Sequence, residues 1–379
     1  MASTIKVTNI DTPDNTGNII VDRPLSGSGA SLTNLPAGGD LRNFIIDGDF
    51  TQWPDGTAAT TNSSWKSALW FGRPDIGTVE FSRSTDVPTA TQSGHRSAYS
   101  FKVDCTATGS LASGTKLKLY YWMSGHDYAH LHRQPFVFSF WVKSYQTGTH
   151  TCGFQNSAGS RTYIAEYTVT ASATWERKTI AVPAESSDSG WLFTEADKGL
   201  GVIFGLAVGS AQQTAAGSWT AGNYNGSSNT QNITSSTNNY INIAQLMLTR
   251  GTTTPDVFLC ESISTVRNQV DYYIEYWSID ANNNAPFIAA EATSSTIVDG
   301  IWVFRNAKRR LPSMAVSAAN TWLFVPNADK TLGSFGALVT DENACIFRAS
   351  GVATTTTGYA GHFCSYGATD AWARADARH

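Results

Sequence analysis

The segment Phe136-Val-Phe-Ser-Phe-Trp-Val-Lys143 alternates over eight residues. Phe136, Phe138, Phe140 and Val142 fall on one side, and Val137, Ser139, Trp141 and Lys143 on the other. Successive strand side chains point to opposite faces, so a period of two marks a half-buried strand. Lys116–Met123 repeats the pattern, with Leu117, Leu119, Tyr121 and Met123 inward and Lys116, Lys118, Tyr120 and Trp122 outward. Further short candidates run over 79–83, 99–103, 163–170, 176–182, 200–208 and 240–248. Turn residues separate them, which predicts an all-β chain built on an antiparallel sandwich. Residues 217–239 are a Gly/Ser/Thr/Asn run that reads as a long surface loop. Gly199-Leu-Gly-Val-Ile-Phe-Gly205 has the wrong spacing for a phosphate loop and reads as a buried strand.

Composition excludes several classes. The 379 residues include 12 Trp, 14 Tyr and 18 Phe but are only 15% charged, so a large core is affordable and global disorder is excluded. A net charge of −4 lacks the basic excess of a nucleic-acid binder. No run of 18 apolar residues is present, so membrane insertion is not expected. The opening Met1-Ala-Ser-Thr-Ile-Lys-Val7 has no apolar core of the kind a secretory signal carries. Five cysteines (Cys105, Cys152, Cys260, Cys345 and Cys364) form no C-x-x-C pair, which predicts buried free thiols and synthesis in a reducing compartment.

Residues 1–42 are polar, extended and rich in turns, with too few apolar residues for a core; they must lie against copies of themselves or another protein. Residues 43–258 carry the sandwich. A helix is expected from 261 to about 278, where Ile263, Val266, Val270, Tyr273 and Trp277 recur at spacings of 3 and 4. That seam fits either helix association between chains or packing on the helix's own domain. With its flanks it makes a linker over 259–284. Short β-segments return over 285–379, at 300–304, 313–316, 345–348 and 371–377.

These pieces resemble a known family. Asn43-Phe-Ile-Ile-Asp-Gly-Asp-Phe-Thr-Gln-Trp53 resembles the N-G-D-F-x-x-W opening of jelly-roll, carbohydrate-binding-module-like domains in bacteriophage tail proteins. In the same order, Phe81–Asp86, Tyr99-Ser-Phe-Lys-Val-Asp104 and Ser139-Phe-Trp-Val-Lys143 are similar to its next strands, and 242–255 to its closing strand and G-x-x-x-T-P exit. Val270-Asp-Tyr-Tyr273, Arg309-Arg-Leu-Pro-Ser313 and Trp372-Ala-Arg-Ala-Asp376 resemble segments of a C-terminal phage-fibre β-domain. Residues 27–34 are similar to shaft or attachment segments. The chain departs from the family at Gln269-Val-Asp271, usually Cys-Gln-Arg, and at Ala68-Leu-Trp70-Phe71, usually a polar A-D-R-W, so no ligand preference carries over. The resemblance implies a homotrimeric virion fibre protein of tail or head, made in the host cytoplasm. It would attach to other virion proteins through 1–42, with a trimerisation linker at 259–284 and a tip at 285–379, and would bind a host-surface glycan. Alternatives are a head-fibre or decoration protein, a structural adaptor without glycan binding, and a polysaccharide depolymerase.

Sugars are held by flat aromatic faces and hydrogen-bonding groups. If strands 116–122 and 136–143 share a sheet, Tyr120, Trp122, Trp141 and Lys143 form one aromatic face, either open to glycan or covered by a loop or neighbouring subunit. Trp191, Trp219 and Tyr224 lie in loops, as binding residues or loop anchors. His126, His130 and His132 are either metal ligands or part of a turn. The family also implies a structural calcium, with Asp47, Asp49 and Asn242 as ligands; no other cofactor is expected. Lys308-Arg-Arg310 reads most simply as a solvated turn, with contact to an anionic glycan as the alternative. No G-x-S-x-G elbow is present, and Asp47 with Asp49 is a weak candidate for acid-base work, so a non-enzymatic protein is expected.

Overall fold

The computed structural model describes residues 42–278, 286–326, 329–365 and 371–378, without 62 and 354. Expectations for 1–41 and for the end of the linker therefore fall outside the described residues. The protein is all-β. Its first half is a sandwich of a five-stranded and a seven-stranded sheet, each built of antiparallel ladders. Strands Thr78–Ser84, Ser100–Ala107, Tyr240–Arg250, Phe136–Ser144 and Glu176–Val182 make the first sheet in that spatial order. Trp70–Pro74, Lys116–Ser124, Lys198–Val208, Gly148–Asn156 and Arg161–Val169 make most of the second, with short strands Ser64–Trp65 and Trp219–Ala221 at its edges.

The alternation in the sequence sets the inner faces. Phe136, Phe138, Phe140, Val142, Leu117, Leu119, Tyr121 and Met123 are all at most 2% exposed. Phe138 and Phe140 meet Phe204 of the opposite sheet at ring distances of 5.9 and 5.1 Å. Burial of this many rings is the main stabilising term of the sandwich. The strand expected at 199–205 is confirmed within Lys198–Val208.

Several expectations are corrected. The strands Lys116–Ser124 and Phe136–Ser144 lie in opposite sheets, so Tyr120 and Trp122 share no face with Trp141 and Lys143. The helix runs only over Ile263–Asp271, capped by the Ser262 side chain, and the chain re-forms as strand Ile274–Ser278. Tyr-Tyr-Ile-Glu-Tyr-Trp is a β-prone aromatic run, and its pairing with Trp372–Asp376 outweighs continuation of the helix. The spacing of 3 and 4 is therefore split between two elements. Val266, Val270 and Tyr273 are spent on the sandwich core. Trp277 packs in the second core 5.4 Å from Trp322, and Ile263 is exposed. Of the spaced apolar residues on the helix itself, only Ile263 is left exposed. Of the cysteines, Cys260 is exposed and the other four are buried.

The second half has a seven-stranded sheet and a three-stranded one, the latter ordered Ile274–Ser278, Trp372–Asp376, Ser313–Val316. Ala371, Ala373, Ala375 and Ala377 are fully buried. Their small side chains let the central strand approach a core rich in Trp302, Trp322, Phe347 and Phe363. By the same alternation Trp372, Arg374 and Asp376 are presented on the opposite face. Lys308-Arg-Arg310 is not a solvated turn. Lys308 is buried against Glu275 at 2.9 Å, and Arg309 donates to the carbonyls of Glu195, Asp197 and Ala377. Buried cations need such partners, and these tie the second half to the first.

Candidate functional site

A groove of about 1010 Å³ opens where the sandwich meets the three-stranded sheet. Trp53, Trp65 and Phe71 line it from the sandwich, and Tyr276, Trp372 and Arg374 from the second half. All five rings are half-buried. Trp53 stacks on Phe101 at 5.7 Å and donates its indole N–H to the Phe50 carbonyl at 2.7 Å. Trp65 sits in the hairpin opposite Phe71, edge-on at 5.2 Å. Tyr276 and Trp372 lie on adjacent strands with nearly parallel rings, 6.3 Å apart. Phe71 packs on Tyr120 at 5.2 Å, so the aromatic row continues along the outer face of the seven-stranded sheet. Thr57, Thr60, Ser63 and Ser64 also line the groove, with the hydroxyls of Thr60 and Ser64 3.1 Å apart.

An ion cluster holds the groove together. Asp55 accepts from Arg374 at 2.9 Å and from Arg378, whose guanidinium also binds Asp376 at 2.7 Å and the Ala68 carbonyl at 2.9 Å. The Arg378 guanidinium lies 4.7 Å from the Trp65 ring centre, a cation–π contact that fixes the ring from behind. Burial pushes the Asp376 carboxyl up, but Arg378 more than offsets this and holds it below its ordinary value. Lys66 is buried and donates to the Ala58 carbonyl at 3.0 Å; burial pulls its ammonium pKa down, against the pull of Asp55.

The residues singled out in the sequence are scattered. Tyr120 adjoins the groove through Phe71. Trp122 lies over Gly201, where a Cβ would come within 2.7 Å of its ring. The loop at Asn225 crosses Gly205, and Lys118 beside it is buried, hydrogen-bonded to Asn225 at 3.0 Å and pulled down to about 8 by burial. This part of the outer face is thus covered by the chain's own loop. On the other sheet Trp141 is half-buried, and Lys143 pairs with Asp86 at 2.6 Å. Trp191 is buried against Tyr128 at 4.4 Å, Trp219 begins the edge strand Trp219–Ala221 rather than lying in a loop and donates to the Pro183 carbonyl at 2.8 Å, and Tyr224 packs over Gly222. Trp53 and Trp372 stood in the family-like motifs, but Trp65 and Tyr276 carried no periodic signal.

Asp47 and Asp49 line a separate hollow of about 290 Å³ with His95, Phe258 and Cys260. The Asp47 carboxylate is not open to a calcium ion. The Asp47 oxygens accept from the Thr51 N–H and hydroxyl, both at 2.7 Å, and from the Gln52 N–H at 2.9 Å, so donors occupy the positions a cation would need. Asp49 is paired with His95 at 2.9 Å, and Asn242 donates to Ser84 and Ser100. Burial raises the Asp47 carboxyl to about 7 against its hydrogen bonds to Thr51 and Gln52, and raises Asp49 against Ser97 and His95. Asp47 is the cap of its own turn. In the histidine cluster His132 is held by Tyr128 and Asp188, while His126 and His130 are exposed with rings 5.7 Å apart. Among the described residues no group of three or more His, Cys, Asp or Glu is arranged to hold a metal.

No family model matches the sequence, and no relative is found among curated proteins. Solved structures offer distant likenesses. The enzymatically active domain of bacteriophage CBA120 tailspike protein 4 is 12% identical, with 55% of this chain and 21% of that one covered, at a TM-score of 0.29. TmCBM61, solved in complex with β-1,4-galactotriose, is 13% identical over 55% of this chain and 99% of that one, at 0.27. The tandem CBM22 domains of Paenibacillus barcinonensis Xyn10C are 8% identical over 86% and 99%, at 0.27. Each is a loose likeness, and the sandwich described above rests on its own strands and pairings.

Proposed function

We propose that the protein is a non-enzymatic bacteriophage fibre subunit that binds a host-surface glycan in the groove between its two halves. The observation that carries the binding reading is the set of five half-buried rings, Trp53, Trp65, Phe71, Tyr276 and Trp372, facing one groove beside hydroxyl side chains. Aromatic faces take the C–H faces of sugars and hydroxyls take their polar edges. The ordered motifs from Asn43 to Asp376 support the fibre reading. Three linked copies would turn a weak site into firm attachment.

The groove is tested on arrays of bacterial capsule and lipopolysaccharide. Trp65→Ala and Trp372→Ala are each expected to weaken retention roughly 10- to 100-fold, as loss of a central aromatic contact does. Unchanged retention in both variants would remove the groove from the mechanism. Shortening of the bound polysaccharide on incubation would replace a binding protein with a depolymerase.

Trimerisation is tested by light scattering of the whole chain at micromolar concentration, with a mass near three times 40.8 kDa expected. Because Val266, Val270 and Tyr273 are spent inside the chain, association must use other surfaces, and Ile301, Val303 and Val339 are exposed on the second-half sheet. A monomeric mass rejects the trimer.

A further inference from the structure

We propose that the groove continues past Trp53 and Tyr276 into a second hollow, and that the glycan it takes is acidic, its carboxylates received by the arginines that line both parts. The inference rests on the glycan-binding reading above and specifies the ligand class.

The second hollow, of about 250 Å³, is lined by Gln52, Arg267, Asp271 and Arg305 and shares Trp53, Pro54 and Tyr276 with the groove. Trp53 and Tyr276 therefore stand between the two parts, and a polymer that crosses their rings enters both. Among the described residues, four cations line this path, Lys66, Arg267, Arg305 and Arg374, against two carboxylates, Asp55 and Asp271. Behind them Asp376 is paired with Arg378 and Glu275 with Lys308. The path is thus cationic in a chain whose net charge is −4.

The arginines can meet such a ligand without giving up their present partners. Arg374 gives Nη1 to Asp55, and its side chain stays 33% exposed. Arg305 holds Asp271 at 3.5 Å, and its side chain is 60% exposed. Arg267, one helical turn before Asp271, is exposed and makes no ion pair among the described residues. A guanidinium presents a planar fork that matches a carboxylate, which a single ammonium does not. A uronic polymer carries a carboxylate on every unit or every other unit. When one unit stacks on the rings, a neighbouring unit brings its charge alongside the arginines. The rings also displace water there, which strengthens the attraction between charges.

The test is affinity electrophoresis and calorimetry of the whole chain. The probes are polygalacturonate, alginate and hyaluronan, each native and after carbodiimide–borohydride reduction of its carboxylates to alcohols, with galactan and mannan as neutral references. At least one native acidic polymer is expected to bind about tenfold more tightly than its reduced form, as the loss of two exposed ion contacts gives. Raising NaCl from about 20 mM to about 500 mM should weaken the native complex by a similar factor and leave the reduced one within about twofold. Arg267→Gln should cost the native polymer about three- to fivefold and leave the reduced polymer unaffected. Trp65→Ala should weaken both. Equal affinity for native and reduced polymers, preference for the neutral references, or native binding that Arg267→Gln leaves unchanged overturns the acidic-ligand inference, while loss of binding in Trp65→Ala still keeps the glycan in the groove. No binding to any of these polymers also overturns it. The groove reading is decided separately, by whether Trp65→Ala and Trp372→Ala change retention on the capsule and lipopolysaccharide arrays.

Discussion

Arg378→Ala is expected to destabilise the junction of the two halves by about 3–5 kcal/mol, the usual cost of removing one partner from a buried ion pair. The Arg378 side chain is 1% exposed and holds Asp55, Asp376 and the Ala68 carbonyl at once. Its loss leaves Asp376 without its salt bridge, held by the backbone N–H of residue 378, and Asp55 with Arg374 alone. It also removes the guanidinium behind the Trp65 ring, so glycan retention should fall together with stability. Arg378→Lys should recover little, because one ammonium cannot reproduce a planar fork that serves two carboxylates. Denaturant melts and amide exchange across Trp372–Asp376 read the first effect, and the polysaccharide assays read the second. Exchange in that strand unchanged from the parent protein would show that the cluster does not hold the halves together.

A second large effect is expected with pH. The Asp47 carboxyl sits at about 7 in the folded protein against an ordinary 3.8, because burial outweighs the hydrogen bonds from Thr51 and Gln52. Between these values the folded chain holds a proton that the unfolded chain has released. Stability contributed by this group is therefore greatest below about pH 4, declines as the pH rises toward 7, and levels off above it. A shift of this size corresponds to at most about 4 kcal/mol. Asp49, also raised by burial, adds to the slope with the same sign. Asp376, held low by Arg378, acts in the opposite sense and only at acidic pH. Asp47→Asn should flatten the decline between pH 4 and 7 and lower stability overall, since its amide cannot accept the Gln52 N–H at one end while serving Thr51 at the other. Urea melts of both proteins across that range decide it; parallel curves would mean that Asp47 ionises normally.

The sandwich was legible because burial imposes a two-residue period that needs no knowledge of partners. Phe136, Phe138, Phe140 and Val142, and Leu117, Leu119, Tyr121 and Met123, are buried as their alternation requires, although Val137, Ser139, Lys118 and Trp122 between them are buried as well. The same alternation does not say which sheet each strand joins, since hydrogen-bond partners are non-local, and only the pairing shows that the condition for Trp122 and Trp141 to share a face is not met. The run from Ile263 to Trp277 misled for a related reason. Spacings of 3 and 4 also arise when a short helix is followed by an alternating strand, and only the pairing with Trp372–Asp376 separates the cases. Lys308 and Arg309 looked like surface charges because a buried cation is recognisable only by its partners, and Glu275, Glu195 and Ala377 are distant in sequence.

By itself the sequence determined an all-β chain with an aromatic core, the inward faces of its main strands and the alanine alternation before Arg378. The tertiary structure alone decided where recognition happens. Trp65 and Trp372 are 307 positions apart, and they share a groove because an arginine carried by one half finds its carboxylate, Asp55, on the other. Local periodicity records which side of a strand is dry; it carries no information about which distant surface will close over that strand's other side.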